Sequence, residues 1–158
     1  MKNPATIDIK SSIFDAIRKM REEKIGRLLV FENEKISKII TEKDIGLFLF
    51  KDASERKLDE ISLRELSTPV LSVDESTKIQ ECAKIMLEKA IGSLAIKSDN
   101  KIVGIITKTD LVKYFAKNHG GKKVVGEYMS PYYSWVYSDT PLSRVILKML
   151  DEIGRAHV

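Results

Sequence analysis

An internal repeat with a period of 66 residues constrains the fold of this chain more than any other sequence feature. Residues 6–45 fall on residues 72–111 without a gap. The matched pairs include Asp8 with Asp74, Ile13 with Ile79, Met20 with Met86, Gly26 with Gly92, Thr41 with Thr107 and Asp44 with Asp110. Such spacing over forty residues indicates two copies of one supersecondary unit. The chain has 158 residues, which is enough for two such copies to share a core.

The two copies have the same predicted order of elements: a short leading strand, a helix, two strands and a second helix. Apolar residues recur at helical spacing after Ser11 and Thr77, which we interpret as N-caps of the first helices. Gly26 and Gly92 follow those helices, where a residue in the left-handed conformation is usual. Short apolar runs on either side of a polar turn then predict two strands, and a second helix follows Thr41.

A third copy begins near the end of the sequence. Thr140 is expected to be the N-cap of its first helix, with Pro141 at the first helical position, where a missing N–H costs nothing. The apolar stripe of that helix comprises Leu142, Val145, Ile146 and Met149. Residues 153–158 match the start of a strand in the first copy. We therefore expect units at residues 1–60, 61–122 and 123–158, the last one truncated from a longer protein.

The charge and cysteine content exclude several classes of protein. A net charge of +4 with both signs interspersed does not form the clustered basic face of a nucleic-acid binder. The short basic run at residues 120–123 lacks the rest of a phosphate-binding loop, and we interpret it as a flexible linker. The single cysteine, Cys82, cannot form an internal disulfide; we expect it in the core and the protein in the cytoplasm. The sequence predicts neither a signal peptide nor a membrane span.

Residues that could support catalysis or bind a metal are sparse. The sequence contains no Ser/His/Asp arrangement and no paired carboxylates of the kind that activate a nucleophile or water. His119 and His157 have no neighbouring ligand cluster. We therefore predict that the protein is not an enzyme and holds no metal ion or cofactor. The aromatic stretch at residues 131–137 could stack on a base or join two subunits, but we favour packing within the third unit.

The motif T-x-x-D is the strongest candidate for a functional site. It occurs as Thr41 with Asp44 and again as Thr107 with Asp110. One interpretation is a capping box, in which each side chain accepts a backbone N–H of the other residue. The other is a ligand site, because a helix N-terminus suits a phosphate and a carboxylate can accept hydrogen bonds from a ribose diol. The residues alone leave both interpretations open.

The repeated unit resembles tandem CBS domains, the modules named after cystathionine β-synthase. The matching features are the leads Ser67–Pro69 and Met129–Pro131, the Ile-Gly pair after each first helix, the two strands, and the ending Gly104–Asp110. The resemblance implies an α/β (α+β) fold in which two β-α-β-β-α repeats pair about a pseudo-two-fold axis and form two equivalent clefts. It also implies a regulatory, ligand-sensing module without catalytic machinery of its own.

By the same resemblance, each cleft combines the T-x-x-D motif of one repeat with the lead and Ile-Gly turn of the other. The expected Asp110 cleft comprises Ala5, Ile25, Gly26, Arg27, Ile105, Thr107, Thr109 and Asp110. The expected Asp44 cleft comprises Ile39, Thr41, Lys43, Asp44, Leu71, Ile91, Gly92 and Ser93. The Asp110 cleft is expected to be the better one, because Gly104 admits a ligand where the other motif has the bulkier Lys38.

The candidate phosphate ligands also differ between the clefts. Arg27 is expected to clamp a phosphate with its guanidinium fork, whereas Ser93 stands at the equivalent position and leaves that role to Lys43. Alternatively, Arg27 and Lys43 are solvated surface charges. The resemblance implies AMP, ADP, ATP or S-adenosylmethionine as the ligand, a homodimer formed through CBS contacts, and a regulated partner protein. The alternatives are an oligomerisation module with empty clefts and a weak nucleic-acid binder.

Overall fold

The structure is a computed structural model that describes residues 4–52, 55–118, 121, 124–127, 129 and 135–149. The first repeat contains β1 (Thr6–Asp8), α1 (Ile13–Glu23), β2 (Arg27–Glu32), β3 (Lys35–Thr41) and α2 (Glu42–Lys51). A 3-10 turn (Leu63–Glu65) and β4 (Thr68–Pro69) connect it to the second repeat. That repeat contains β5 (Ser72–Asp74), α3 (Ile79–Glu88), β6 (Ser93–Ser98), β7 (Lys101–Thr107) and α4 (Lys108–Asn118). A 3-10 turn (Val125–Glu127) and α5 (Leu142–Lys148) follow. The predicted mixed α and β fold with two β-α-β-β-α repeats is confirmed.

The strands form two sheets. In the first, the order is β1-β2-β3-β4, with β1 parallel to β2 and the other neighbours antiparallel. In the second, the order is β5-β6-β7, with β5 parallel to β6. Two-residue turns connect β2 to β3 and β6 to β7, and both residues of each turn have positive φ, as tight hairpins require. These residues are Asn33, Glu34, Asp99 and Asn100.

The first helices begin one residue later than the sequence predicted. The N-cap of α1 is Ser12 instead of Ser11, and the N-cap of α3 is Lys78 instead of Thr77. The reason lies in the preceding strands, because Ser11 N donates to Asp8 O and Thr77 N donates to Asp74 O, each at 3.0 Å. Ser11 and Thr77 therefore belong to turns that follow the leading strands, and the N-cap of each helix is the next residue.

The predicted left-handed glycines are also wrong. The residues in that conformation are Lys24, with φ of 54°, and Ala90, with φ of 51°, whereas no described glycine has a positive φ. The residue after each then closes the helix end, as Ile25 N donates to Met20 O at 2.9 Å and Ile91 N donates to Met86 O at 3.0 Å. Gly26 and Gly92 lie beyond this closure and need another explanation.

The start of α5 differs from the prediction by one residue as well. Pro141 is the N-cap, with an extended ψ of 137°, instead of the first helical residue, and Thr140 lies outside the helix. Val145 and Ile146 are half-buried, while Leu142 and Met149 are exposed. Residues 153–158, which the sequence assigned to a strand of a third unit, lie outside the described residues.

The described residues divide into two compact units, one with residues 4–77 and 94–106 and the other with residues 78–93 and 107–149. The core of the first unit includes residues from the segment after α2, namely Ile61, Leu63 and Leu66. They pack with Ile9 and other apolar residues of the first repeat: Ile7, Ile13, Ala16, Met20, Leu28, Val30, Ile40 and Ile45. In the second unit, Cys82, Met86 and Leu111 are buried. The domain boundaries at residues 60 and 122 stay a prediction.

Candidate functional site

The T-x-x-D motif of the first repeat forms a capping box at the start of α2. Thr41 donates to Asp44 Oδ2 through its backbone N, at 2.9 Å, and through Oγ1, at 2.7 Å. Asp44 N donates back to Thr41 Oγ1 at 3.3 Å. The box satisfies backbone donors that have no partner within the helix, so this motif has a structural role.

The second repeat has the same arrangement at the start of α4. Thr107 N and Oγ1 donate to Asp110 Oδ2 at 2.9 and 2.6 Å, and Asp110 N donates to Thr107 Oγ1 at 3.3 Å. The capping interpretation is therefore confirmed for both motifs. Both boxes use Oδ2 alone, and the Oδ1 atoms of Asp44 and Asp110 make no hydrogen bond with another described residue.

Each repeat places its own Ile-Gly turn beside its own motif. Glu42 N donates to Gly26 O and Lys108 N donates to Gly92 O, both at 3.1 Å. The register of β2 and β3 also sets Arg27 opposite Thr41. The predicted clefts combine each motif with the turn of the other repeat, and that combination stays a prediction.

Gly26 lies beside the exposed side chain of Glu42 at the start of α2. A Cβ atom added at this position would lie 3.0 Å from Glu42 Oε2 and 3.2 Å from Glu42 Cδ. The equivalent residue of the second repeat, 66 positions later, is Lys108. The two helix starts therefore carry opposite charges next to their Ile-Gly turns. Glu42 and Lys108 were not among the predicted site residues, and their position directly after the motif threonine was the available signal.

Ala5 and Leu71, the candidate residues just before β1 and β5, occupy the same position in both repeats. Leu29 N donates to Ala5 O at 3.0 Å, and Ala95 N donates to Leu71 O at 2.9 Å. Ala5 is half-buried, whereas Leu71 is 43% exposed. The half-buried candidate residues are Ile25, Gly26, Arg27, Ile39, Thr41, Asp44, Ile91, Gly92, Ser93, Ile105 and Thr107, and the exposed ones are Lys43, Thr109 and Asp110.

Two cavities in the described part of the chain lie away from these motifs. One of about 750 Å³ is lined by the two hairpin turns and their neighbours. The other, of about 480 Å³, lies between α5 and the residues before it, where Trp135 and Tyr137 meet edge to face at 5.0 Å. Lys148 Nζ donates to Trp135 O at 2.8 Å there. Residues 131–134 of the aromatic stretch lie outside the described residues, so its packing in a third unit stays a prediction.

The remaining residues considered from the sequence are Cys82, the two histidines and the basic run, and only part of them is described by the structure. Cys82 is 2% exposed, and burial raises the pKa of its thiol, as the core prediction requires. Among the described residues, no group of three or more His, Cys, Asp or Glu side chains could hold a metal ion. His119, His157 and three residues of the basic run lie outside the described part. In that part, no helix is long and apolar enough to cross a membrane.

Comparison with known proteins identifies the family of this chain. The CBS domain family model matches residues 1–49 and 61–117. An uncharacterized protein from Methanopyrus kandleri is 37% identical over 99 residues, which are 60% of this chain and 49% of that protein. Across the first three curated relatives, the matches span 40 to 62% of the relative's length.

Two solved structures with the same fold contain bound adenosyl compounds. A CBS domain pair in complex with 5′-methylthioadenosine and S-adenosyl-L-methionine has a TM-score of 0.65 and 24% identity, and the match covers 74% of this chain and 91% of that chain. A CBS domain protein from Pyrobaculum aerophilum complexed with AMP has a TM-score of 0.62 and 14% identity, with 74% and 94% covered. At these identities, the likeness establishes the fold alone.

Proposed function

Because this chain belongs to the CBS domain family, we propose that it is a regulatory module that senses an adenine nucleotide or a related adenosyl compound. The observation that carries the proposal is the repeated helix start beside an Ile-Gly turn, in which a capped aspartate keeps one carboxylate oxygen without a hydrogen bond to another described residue. Structures of the same fold contain AMP, 5′-methylthioadenosine and S-adenosylmethionine. The proposed role is binding and signalling to a partner protein, and not catalysis.

Ribose recognition is the first step of the proposed chemistry. A carboxylate has lone pairs for several hydrogen bonds, and each capping box occupies Oδ2 only. Oδ1 of Asp110 or Asp44 would accept hydrogen bonds from the two ribose hydroxyls. The capping box fixes the carboxylate in place, so its structural role supports the binding role.

The phosphate of a nucleotide ligand would lie near the helix start, where backbone dipoles favour negative charge. The proposed Asp110 cleft uses Ala5, Ile25, Gly26, Arg27, Ile105, Thr107, Thr109 and Asp110. The proposed Asp44 cleft uses Ile39, Thr41, Lys43, Asp44, Leu71, Ile91, Gly92 and Ser93. Lys108 adds a positive charge beside the Asp110 motif, whereas Glu42 adds a negative charge beside the Asp44 motif. We therefore propose that a phosphorylated ligand prefers the motif with Lys108.

The affinity of such a site can be bounded. A nucleoside monophosphate has roughly 23 non-hydrogen atoms, and about 0.3 kcal/mol for each gives about 7 kcal/mol, which is a Kd near 10 μM. Binding at a hundredfold excess over this Kd would stabilise the fold by about 2.7 kcal/mol, because the ligand binds the native state only. A shift of this size is measurable by thermal unfolding.

The test is thermal unfolding with AMP, ADP, ATP and S-adenosylmethionine, one at a time. We expect at least one of them to raise Tm, and Asp110→Ala to remove most of that shift. Asp15→Ala is a matched control, because Asp15 closes a capping box with Ser12 at the start of α1, outside the proposed clefts. It should lower Tm without ligand but keep the ligand-induced shift. No shift with any of the four compounds would contradict the proposal.

A second candidate is an oligomerisation module with empty clefts. Neither described cavity is lined by Asp44 or Asp110, which favours this alternative. A homodimer is also part of the first proposal, so sedimentation velocity alone does not separate the two. A stable dimer whose Tm does not change with any of the four compounds would favour the structural role.

We propose that the protein is cytoplasmic, where its one buried thiol would stay reduced.

A further inference from the structure

The groove of about 750 Å³ lies at the hairpin end of the first sheet. It is lined by Glu34, Lys35, Ile36, Ser37, Val70, Ser72, Lys97, Asn100, Lys101 and Ile102. All ten residues belong to the first compact unit. Lys35 begins β3 and Thr41 ends it, so at about 3.3 Å per residue the groove lies roughly 20 Å along the strand from the motif threonine. The groove therefore lies away from both T-x-x-D motifs, and Val70 and Ser72 of its lining flank Leu71 of the proposed Asp44 cleft.

Equivalent residues of both repeats line this groove. Glu34, Lys35 and Ile36 correspond to Asn100, Lys101 and Ile102 after the shift of 66 positions. Each set follows or completes a two-residue hairpin turn with positive φ, which fixes where the next strand begins. Two rigid turns thus bring one lysine each to the same groove, and Lys97 of β6 adds a third.

The charges of the lining are unbalanced. The lining contains three lysines, Lys35, Lys97 and Lys101, and one carboxylate, that of Glu34. None of the three lysines forms an ion pair with another described residue. Of the acidic residues outside the lining, Glu32 pairs with Arg64 at 2.6 Å. Asp74, the strand partner of Lys97, keeps its charge while Oδ1 accepts hydrogen bonds from Ser76, and Glu75 and Asp99 also lie close in sequence to lining residues. The excess of positive charge is therefore confined to the lining itself. A cleft lined mainly by one sign of charge concentrates its potential and attracts counter-ions.

The rest of the lining combines apolar and hydrogen-bonding groups, as small-molecule sites do. Half-buried Ile36, Val70 and Ile102 supply apolar surface, and Ser37, Ser72 and Asn100 supply hydrogen-bonding groups. The volume lies within the range of small-molecule sites, about 300–1,000 Å³. We propose that this groove binds a small polyanion of the phosphate class that carries at least two negative charges. This proposal does not depend on the adenosyl clefts.

The test uses inorganic triphosphate as the probe and isothermal titration calorimetry as the measurement. We expect the wild-type chain to bind it, and the triple variant Lys35→Ala, Lys97→Ala, Lys101→Ala to bind on the order of tenfold more weakly or worse, as expected from three exposed ionic contacts. Affinity should also fall as salt rises from about 0.05 to 0.5 M, because exposed charges are screened. The three lysines are exposed, so the variant should fold, which its Tm verifies.

The control variant carries Lys10→Ala, Lys57→Ala and Lys113→Ala, which removes the same charge from exposed positions outside the groove. It should bind the probe within a few-fold of wild type. Equal losses in both triple variants would indicate a diffuse charge effect and overturn the proposal, as would absence of binding by the wild-type chain. Binding lost in Arg27→Ala but kept in the groove variant would assign the anion to an adenosyl cleft and would also overturn it.

Discussion

The carboxylate of Glu42 lies against Gly26, so closely that a Cβ atom on the glycine would be 3.0 Å from Glu42 Oε2. The backbones of the same two residues are joined by a hydrogen bond of 3.1 Å from Glu42 N to Gly26 O. The backbone of Gly26 lies outside the left-handed region, and the atoms that a Cβ would meet belong to the end of an exposed side chain that can move away. This contact places a negative charge beside the first motif, where the second repeat has Lys108.

Gly26→Ala should lower the free energy of unfolding by at most about 0.5 kcal/mol, because the new methyl group displaces only the end of the exposed, flexible Glu42 side chain. The same change should cost less in a Glu42→Ala background, since the obstructing carboxylate is then absent. Urea denaturation of the wild type, both single variants and the double variant measures this coupling. Equal costs in both backgrounds would show that the contact does not determine the residue at position 26.

Gly46→Ala provides the matched control for this experiment. Gly46 lies inside α2, and a Cβ atom there would meet nothing within 4 Å. The change should raise the free energy of unfolding by about 0.5–1 kcal/mol, because alanine loses less backbone entropy in a helix than glycine does. The two glycines thus predict opposite signs for the same substitution.

Most of the fold could be predicted from the sequence because the repeat fixed the element order twice. The helix ends could not, since they depend on hydrogen bonds between segments. Ser11 looked like a cap, but its N–H is used in a turn with Asp8. Likewise, a left-handed residue is usually glycine, yet Lys24 and Ala90 occupy that conformation. A sequence pattern reflects the conformational preferences of single residues, whereas hydrogen bonds between segments determine the residue at which a helix begins or ends.

The candidate site was predictable in its motif and less so in its surroundings. Thr41 and Asp44 could be found because they recur at a fixed position in the second repeat. Glu42 was missed because a charged residue between two motif positions gives no periodic signal. Its contact with Gly26 arises from the antiparallel register of β2 and β3, in which Arg27 pairs with Thr41. That register is a property of the folded sheet.

The capping role of the motif threonines predicts equal effects in the two repeats. Thr41→Ala and Thr107→Ala should each lower the free energy of unfolding by about 1 kcal/mol, because each leaves a helix donor without its acceptor. Thr→Ser at either position should restore most of this loss, since serine caps equally well. Urea denaturation of the four variants is the measurement. A negligible effect at both positions would remove the structural explanation for the motif.

Two adjacent residues of the segment after α2 should differ strongly in their contribution to stability. Leu63 is fully buried in the core of the first unit, so Leu63→Ala should cost about 2–5 kcal/mol. Arg64 pairs with Glu32 at 2.6 Å, but its side chain is 57% exposed, so Arg64→Ala should cost less than about 1 kcal/mol. Chemical denaturation separates the two. Similar costs would mean that this segment is not anchored by its apolar side chains.

The thiol of Cys82 should react slowly with alkylating reagents in the native protein. Burial excludes the reagent and raises the pKa of the thiol, so little reactive thiolate is present at neutral pH. In denaturant the thiol should react at the rate of a free cysteine. Comparing the two rates with iodoacetamide and mass spectrometry tests this. Rapid native alkylation would place Cys82 outside the core.

A final prediction concerns the pH dependence that Asp15 gives to stability. The Ser12 hydroxyl and then the Ser12 backbone N–H hold the pKa of Asp15 below its usual value, burial opposes them, and the charge of Arg18 adds a smaller lowering. A carboxyl with a lower pKa in the folded state stabilises the fold above its unfolded pKa, near 4. That contribution disappears as the pH falls from there through the folded-state pKa.

Asp15→Asn should therefore lower the free energy of unfolding by about 0.5–1 kcal/mol at neutral pH, where the charged cap is strongest. Because the asparagine side chain does not titrate, the stability curves of variant and wild type should converge below about pH 4. Glu22→Gln removes a charge from the same helix, at a side chain without a hydrogen bond or ion pair to another described residue, and should keep the acid-dependent loss of stability that Asp15 causes in the wild type. Urea denaturation between neutral and acidic pH gives the three curves. A constant offset between Asp15→Asn and wild type at every pH would contradict this account, because the stabilisation would then not depend on the charge of Asp15.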